Sequence, residues 1–82
     1  MGGKIGKVVT DAGNTATTFK TDLTESATDH YKNAWCSWVK SSGLARQVQQ
    51  ISAFNATTDF LTVGTAFTAA PAADDEFELI YR

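Results

Sequence analysis

The stretch from Trp35 to Pro71 constrains the fold more than any other part of the chain. Within it, apolar runs of strand length alternate with clusters of turn-forming residues, and no helical periodicity extends for any length. This cycle predicts a β-meander in which loops separate short strands. The stretch holds no set of residues that would form a reaction centre.

Turn signals divide the whole chain into six predicted strands. They cover residues 4–10, 17–23, 34–39, 46–54, 60–65 and 77–81. Residues 24–33 are short and polar, which predicts either one helical turn or a loop wrapped over the sheet edge. Val48 and Ile51 lie three residues apart in the fourth strand, which indicates a β-bulge between them. The prediction is an all-β fold, a small, partly open barrel or sandwich of about six short antiparallel strands.

The 82 residues predict a single β-domain spanning positions 1–82, with residues 1–4 as a flexible N-terminus. A domain of this size buries only ~60–65% of its unfolded surface, so its core is thin. Cys36 is the only cysteine and His30 the only histidine, so neither an intrachain disulfide nor an ordinary zinc site can reinforce it. The remaining alternatives are idealised packing and association with other subunits.

The charge and hydropathy of the chain exclude several classes of function. The net charge is −2, and the seven basic residues are scattered rather than gathered in the stripe expected of a duplex-binding protein. No run approaches the ~18 apolar residues of a membrane span, and the N-terminus lacks the apolar region of a secretory signal. We therefore predict no cofactor, no direct contact with nucleic acid and no membrane association.

Two polar constellations have both a chemical and a structural interpretation. His30 and Cys36 would form a thiol–imidazole pair, but no orienting side chain is placed beside them, and free cysteine is commonly a buried hydrophobe. The acids between positions 74 and 78 form the carboxylate cluster of the chain, and consecutive acids before a strand are more often a solvated loop. No set of nucleophile, base and orienting group can be assembled, so the chain is predicted not to be an enzyme.

Tyr31, Trp35 and Trp38 form an aromatic cluster. They would provide a stacking platform for a glycan or a single-stranded nucleic acid. The alternative places one tryptophan in the core and the other outside, because positions 35 and 38 of a strand point to opposite faces. An exposed tryptophan favours protein contacts. We predict Trp35 or Trp38, together with Phe54 and Phe67, as interface anchors.

The order of turn and strand residues over roughly positions 16–80 resembles a pattern that recurs in virion proteins of tailed phages. In that pattern, a Tyr-Asn-Gly turn precedes a strand and a Ser-Gly loop. A Gly-Gln-x-Arg-x-Ile strand, a Thr-rich hairpin, a Phe-x-x-x-Pro connection and a Gly-Asp turn follow. The matching positions are Tyr31, Asn33, Ser42, Gly43, Gln47, Ile51, Phe54, 61–63, 66–68, 70–73, Asp75 and Phe77. The chain departs from the pattern at Ala34, Arg46 and Asp74, which replace glycines, and at Gln49, which replaces the arginine.

The resemblance implies a structural component of a virion and no catalytic residue. A capsid decoration (cement) protein, a piece of the neck, and a fibre or spike module are the alternatives, and the small size favours the decoration protein. Such a protein would act as a homo-oligomer, for which a trimer is one arrangement, and would bind the major capsid protein or other virion proteins. It would be made in the host cytoplasm and reside in the virion. A β-barrel that binds glycans or single-stranded nucleic acid is the alternative outside this class.

Overall fold

The computed structural model describes residues 4–41 and 43–80, and these residues form an all-β fold. The strands are β1 (Lys4–Lys7), β2 (Thr18–Lys20), β3 (Trp35–Lys40), β4 (Val48–Asn55), β5 (Phe60–Val63) and β6 (Glu76–Ile80). All of their pairings are antiparallel, and the strand order across the sheet is β1-β6-β3-β4-β5-β2. The predicted fold class is confirmed. The described part of the chain contains no helix capable of spanning a lipid bilayer.

The sheet curls into a partly open barrel because its two edge strands approach each other. Val8 and Thr21 form an isolated bridge just beyond the ends of β1 and β2. Beside it, the N–H of Val9 donates to the carbonyl of Lys20 at 2.9 Å, and the N–H of Asp22 donates to the carbonyl of Lys7 at 3.0 Å. Closure of this kind covers strand edges at which other chains would otherwise pair.

The inner face of the sheet encloses an aromatic core. The ring of Trp38 lies 5.4 Å from that of Phe19 and 5.5 Å from those of Phe67 and Phe77, measured between centroids. Tilted and edge-on pairs at this spacing add ~0.5–1.5 kcal/mol each to the gain from burial. Idealised packing, one of the two alternatives left by the sequence, is therefore present in the single subunit.

Gly6 lets β1 lie directly against this core. It pairs with Phe77 across the β1–β6 ladder. A Cβ atom built on Gly6 would lie 2.5 Å from Cζ of Phe77 and 3.2 Å from Cδ2 of Leu23. The absence of a side chain at this position is therefore a packing requirement, because any larger residue would displace the ring.

Several strand boundaries differ from the prediction. β1 ends at Lys7 rather than at residue 10, because the N–H of Val8 donates to Asp75 and that of Val9 donates to Lys20. Lys4 lies in β1. Residues 1–3 of the predicted flexible N-terminus and the predicted strand end at position 81 lie outside the described residues.

The predicted bulge between Val48 and Ile51 is wrong. Val48 is exposed and Ile51 is buried, so ordinary alternation along β4 accounts for their spacing. The register shift of this strand lies one step later, between Ile51 and Ala53, where β4 pairs with β5. A second shift lies between Trp38 and Lys40, where β3 pairs with β6.

Residues 24–33 form turns that run along the edge of β4, which is the loop alternative of the prediction. Asp29 holds them there. Its N–H donates to the carbonyl of Phe54 at 2.7 Å, and its Oδ1 accepts from the N–H of Phe54 at 3.0 Å. The loop therefore satisfies backbone groups of β4 that a neighbouring strand would otherwise have to pair.

Candidate functional site

The structure separates the four predicted interface anchors. Trp38, Phe54 and Phe67 lie in the core with exposed fractions of 3%, 1% and 4%. Trp35 is half-buried and points to the opposite face of β3. Trp38 is thus the enclosed tryptophan and Trp35 the accessible one, which decides between the alternatives that the sequence left open. Of the four, only Trp35 can contact a partner while the subunit stays folded.

The three aromatic residues of the predicted stacking platform do not share an exposed surface. Tyr31 is 2% exposed, and its ring packs edge-on against Phe54 with centroids 5.0 Å apart. Trp38 belongs to the core. Any stacking surface built from this cluster therefore consists of Trp35 alone.

His30 and Cys36 lie in different environments. Cys36 points into the core, and its burial raises the pKa of the thiol to about 12, so the thiol stays protonated at neutral pH. His30 is exposed, and its Nε2 lies 3.4 Å from Oε1 of Glu25. Across residues 4–41 and 43–80, no group of three or more His, Cys, Asp or Glu side chains is arranged to hold a metal ion.

The acidic cluster divides into separate roles. Asp75 is only 8% exposed, and its Oδ2 accepts hydrogen bonds from the hydroxyl of Ser41 at 2.8 Å and from the N–H of Ala72 at 2.9 Å. Asp74 is exposed and has a φ of 69°. The interpretation as a solvated loop therefore fits Asp74 but not Asp75, which fastens the connection before β6 to the end of β3.

The outer side of β1, β6, β3 and β4 carries exposed apolar side chains together with acidic ones. By strand register, one row across these four strands runs Ile5, Glu78, Ser37 and Val48. Ile5 is 53% exposed and Val48 is 43% exposed. Val39, at the register shift in β3, is 52% exposed.

A second row on the same side pairs Trp35 with Ile80 on β6 and with Gln50 on β4. We call this surface the outward face. Its members are Ile5, Trp35, Ser37, Val39, Val48, Gln50, Glu76, Glu78 and Ile80. Exposed apolar side chains grouped in this way mark interaction sites more often than singly scattered ones do.

An open cavity of about 370 Å³ lies where β4 changes partners, at the Trp35 end of the outward face. β4 pairs with β3 up to Gln50 and with β5 from Ile51 onward. The lining residues are Lys32, Asn33, Trp35, Gln49, Gln50, Ile51, Ser52, Gly64 and Thr65. Five of them carry side-chain amide or hydroxyl groups, so the wall is mixed, with polar groups set among apolar ones. Among the described residues, Trp35 is the one aromatic side chain in it.

Backbone hydrogen bonds fix the walls of this cavity. Asn33 has a φ of 75°, its N–H donates to the carbonyl of Ile51 at 2.8 Å, and its carbonyl accepts from Nε2 of Gln50 at 3.2 Å. On the other side of β4, the N–H of Gly64 donates to the carbonyl of Gln50 at 3.0 Å. Sequence analysis missed the cavity because three separate segments build it, and none of them is a motif.

Comparisons of the chain with protein-family models, with curated proteins and with solved structures find no match. No family is therefore assigned, and no relative supplies residue roles.

Proposed function

We propose that this chain is a non-enzymatic structural protein of a tailed-phage virion, specifically a capsid decoration protein that oligomerises and binds the major capsid protein. The outward face carries the proposal, because it is an accessible apolar surface mounted on a rigid sheet. The mechanism is mechanical. Each bound subunit bridges neighbouring shell proteins and opposes their separation under the pressure of packaged DNA.

Covering the outward face is energetically favourable. Ile5, Val39 and Val48 each leave about half of their surface in contact with water. Fully burying such a side chain stabilises by ~1.5–3 kcal/mol, so covering the exposed half contributes roughly 1 kcal/mol per residue. Trp35 adds a residue type that is enriched at the centre of protein interfaces. Modest contacts of this size suit a protein that is present in many linked copies.

The charge of the outward face specifies the chemistry of the surface that it fits. Glu76 and Glu78 are half-buried on β6, between the apolar residues rather than at their rim. Burying an unpaired carboxylate is costly, so the partner must bring basic or hydrogen-bonding groups opposite these two positions. A shell surface that combines apolar side chains with Lys or Arg meets this requirement.

The turn geometry supports the resemblance to virion proteins. Two of the positions at which the pattern has glycine, Arg46 and Asp74, have φ angles of 73° and 69°. Residues other than glycine rarely adopt this left-handed backbone. At the third position, Ala34, the left-handed residue is the preceding Asn33. The chain therefore has turns of the kind that glycine favours at Arg46 and Asp74, although the glycines themselves are replaced.

Separate pieces of the pattern also contact each other. The side chain of Gln47 donates through Nε2 to the hydroxyl of Thr68 at 2.7 Å, and its Oε1 accepts from the N–H of Thr68 at 3.1 Å. Gln47 begins the approach to β4, and Thr68 belongs to the Phe-x-x-x-Pro connection. This pair of hydrogen bonds gives the glutamine of the pattern a structural role that suits a recurring module.

Co-expression with the major capsid protein of the same genome, followed by sedimentation of the assembled shells, tests the proposal. We expect the wild-type chain to sediment with the shells, and Val39→Asp to lose at least about tenfold in affinity, equivalent to ~1.4 kcal/mol. Thr57→Asp is the matched control, because it places the same charge on an exposed loop residue that is not part of the outward face.

The thermal unfolding temperature of both variants must match that of the wild type for the comparison to count. A wild-type chain that stays monomeric at all concentrations in light scattering, and that never sediments with shells, would overturn the proposal. Recovery of the chain with isolated necks or fibres instead of shells would overturn the decoration role and move the protein to that substructure.

A further inference from the structure

We propose that the cavity beside Trp35 is a binding site for a mono- or disaccharide. The proposal goes beyond the structural function above and does not depend on it. The cavity volume of about 370 Å³ lies within the range of ~300–1,000 Å³ that is usual for small-molecule sites. It is open to solvent, so a sugar at the end of a glycan chain can enter.

The lining matches the chemistry of a sugar. A pyranose ring has an apolar C–H face and a periphery of hydroxyl groups. The indole of Trp35 supplies an apolar, electron-rich wall for the C–H face. The side-chain amides of Asn33 and Gln50 donate and accept hydrogen bonds, as do the hydroxyls of Ser52 and Thr65. These groups match the hydroxyl groups at the periphery of the sugar.

The site is organised before any ligand binds. The carbonyl of Asn33 holds the amide of Gln50 by a hydrogen bond of 3.2 Å, and the backbone of Asn33 is itself held by Ile51. Pre-ordered polar groups lose less conformational entropy on binding, which matters for a small ligand that makes few contacts. Gly64 is one of the lining residues, and a Cβ atom built there would meet only the carbonyl oxygen of Gln50, at 3.9 Å.

The charge of the lining favours a saccharide over a single-stranded nucleic acid. Among the lining residues within 4–41 and 43–80, Lys32 is the one cation, and no carboxylate accompanies it. A strand of nucleic acid carries one phosphate per nucleotide and needs a positively charged groove to follow it. A neutral sugar, or one with a single acidic group that Lys32 pairs, fits this arrangement.

Gly64 offers a variant that blocks the cavity without disturbing the fold. Its backbone φ is not in the left-handed region, and the space beside it is open, so a larger side chain can be added there without strain. Gly64→Leu would add a bulky apolar side chain to the cavity wall. Gly43→Leu is the matched control, because Gly43 also has open space around it and lies outside the cavity lining.

The experiment is a two-dimensional ¹H–¹⁵N NMR titration of the wild-type chain. The probes are methyl α-glucoside, methyl β-galactoside, N-acetylglucosamine, lactose and N-acetylneuraminic acid, with a short oligothymidylate as the competing class. We expect at least one saccharide to produce saturable shifts of the Trp35 indole N–H and of the side-chain amides of Asn33 and Gln50. Gly64→Leu should weaken that binding by at least about tenfold, and Gly43→Leu should leave it unchanged.

Three results would overturn the proposal. They are the absence of saturable shifts with all five saccharides, shifts of equal size in Gly64→Leu, and a stronger response of the same residues to oligothymidylate. The result is also separable from the decoration function. Val39→Asp should weaken shell binding by at least about tenfold and leave the saccharide shifts intact, whereas Gly64→Leu should weaken saccharide binding and leave shell binding unchanged.

Discussion

The two tryptophans of β3 lie three residues apart in sequence and on opposite faces of the sheet, and their environments show how the two faces differ in role. Trp38 is 3% exposed and lies against three phenylalanine rings, whereas Trp35 is half-buried on the outward face and lines the cavity. The core face contributes to the stability of the single subunit. The outward face contributes less to stability and keeps surface available for partners. A substitution should therefore change either the free energy of unfolding or the affinity for a partner, according to the face that it alters.

Replacing each tryptophan by alanine should produce the largest difference in unfolding free energy between the two faces. Trp38→Ala empties the centre of the aromatic core, and we expect a loss of ~3–5 kcal/mol in the free energy of unfolding. Trp35→Ala, on the same strand, should cost less, ~1–2 kcal/mol, because that side chain is only half-buried and lies outside the core. Urea denaturation followed by circular dichroism measures both. Equal losses in the two variants would contradict the division of the faces.

Substitution of Gly6 should give the next largest loss of stability. This residue tests the packing of the core face at the edge strand β1. Gly6→Ala places a methyl group against the ring of Phe77, and overpacking of this kind should destabilise the subunit by ~1–3 kcal/mol. Gly43→Ala is the control, and it should be neutral or stabilise by up to ~1 kcal/mol, since the added methyl group meets nothing. The midpoints of urea denaturation measure the stability of both variants. A Gly6→Ala variant as stable as the wild type would show that β1 does not pack as described.

Arg46 provides the smallest expected effect and a reference outside both faces. Its left-handed backbone costs roughly 1–2 kcal/mol for a residue with a Cβ atom. Arg46→Gly removes that strain but raises the entropy of the unfolded chain, so we expect a net stabilisation of about 0.5–1 kcal/mol.

Ala45→Gly is the control for that substitution, because the neighbouring residue is exposed and has no left-handed backbone to relieve. It should destabilise by ~0.5–1 kcal/mol. Thermal unfolding measured on all three proteins separates the cases. Destabilisation by both glycines would remove the turn argument that links this chain to the virion pattern.

Local patterns predicted the parts of the fold that depend on local chemistry. Turn clusters between apolar runs gave six strands, and the alternation of a strand placed Trp35 and Trp38 on opposite faces. Which of the two faces inward could not be predicted, because that depends on Phe19, Phe67 and Phe77, which are distant in sequence. The insertion of β6 between β1 and β3 is likewise a long-range pairing without a local signal.

The candidate sites were less predictable than the fold. Large apolar residues such as Phe54 and Phe67 suit an interface and a core equally well, so residue type does not distinguish the two, and the structure buries both. Nothing in the sequence distinguishes Asp75 from the neighbouring acids. Its role follows from its hydrogen bonds with Ser41 and Ala72, which only the structure shows. The left-handed conformation of Arg46 has no signal in its own residue type, and the cavity needs residues from three separate segments.

The position of β6 also has a consequence for the order in which the molecule is assembled. β6 is the last of the six strands to be synthesised, yet it lies between the first and the third and contacts both. On the ribosome, β3 and β4 can pair early, but β1 lacks its strand-ladder partner until β6 emerges, because it meets β2 only at the bridge between Val8 and Thr21 and the hydrogen bonds beside it. The barrel therefore cannot close until β6 has been synthesised. A stalled or truncated product would leave β1 and one side of β3 without the strand that pairs with them.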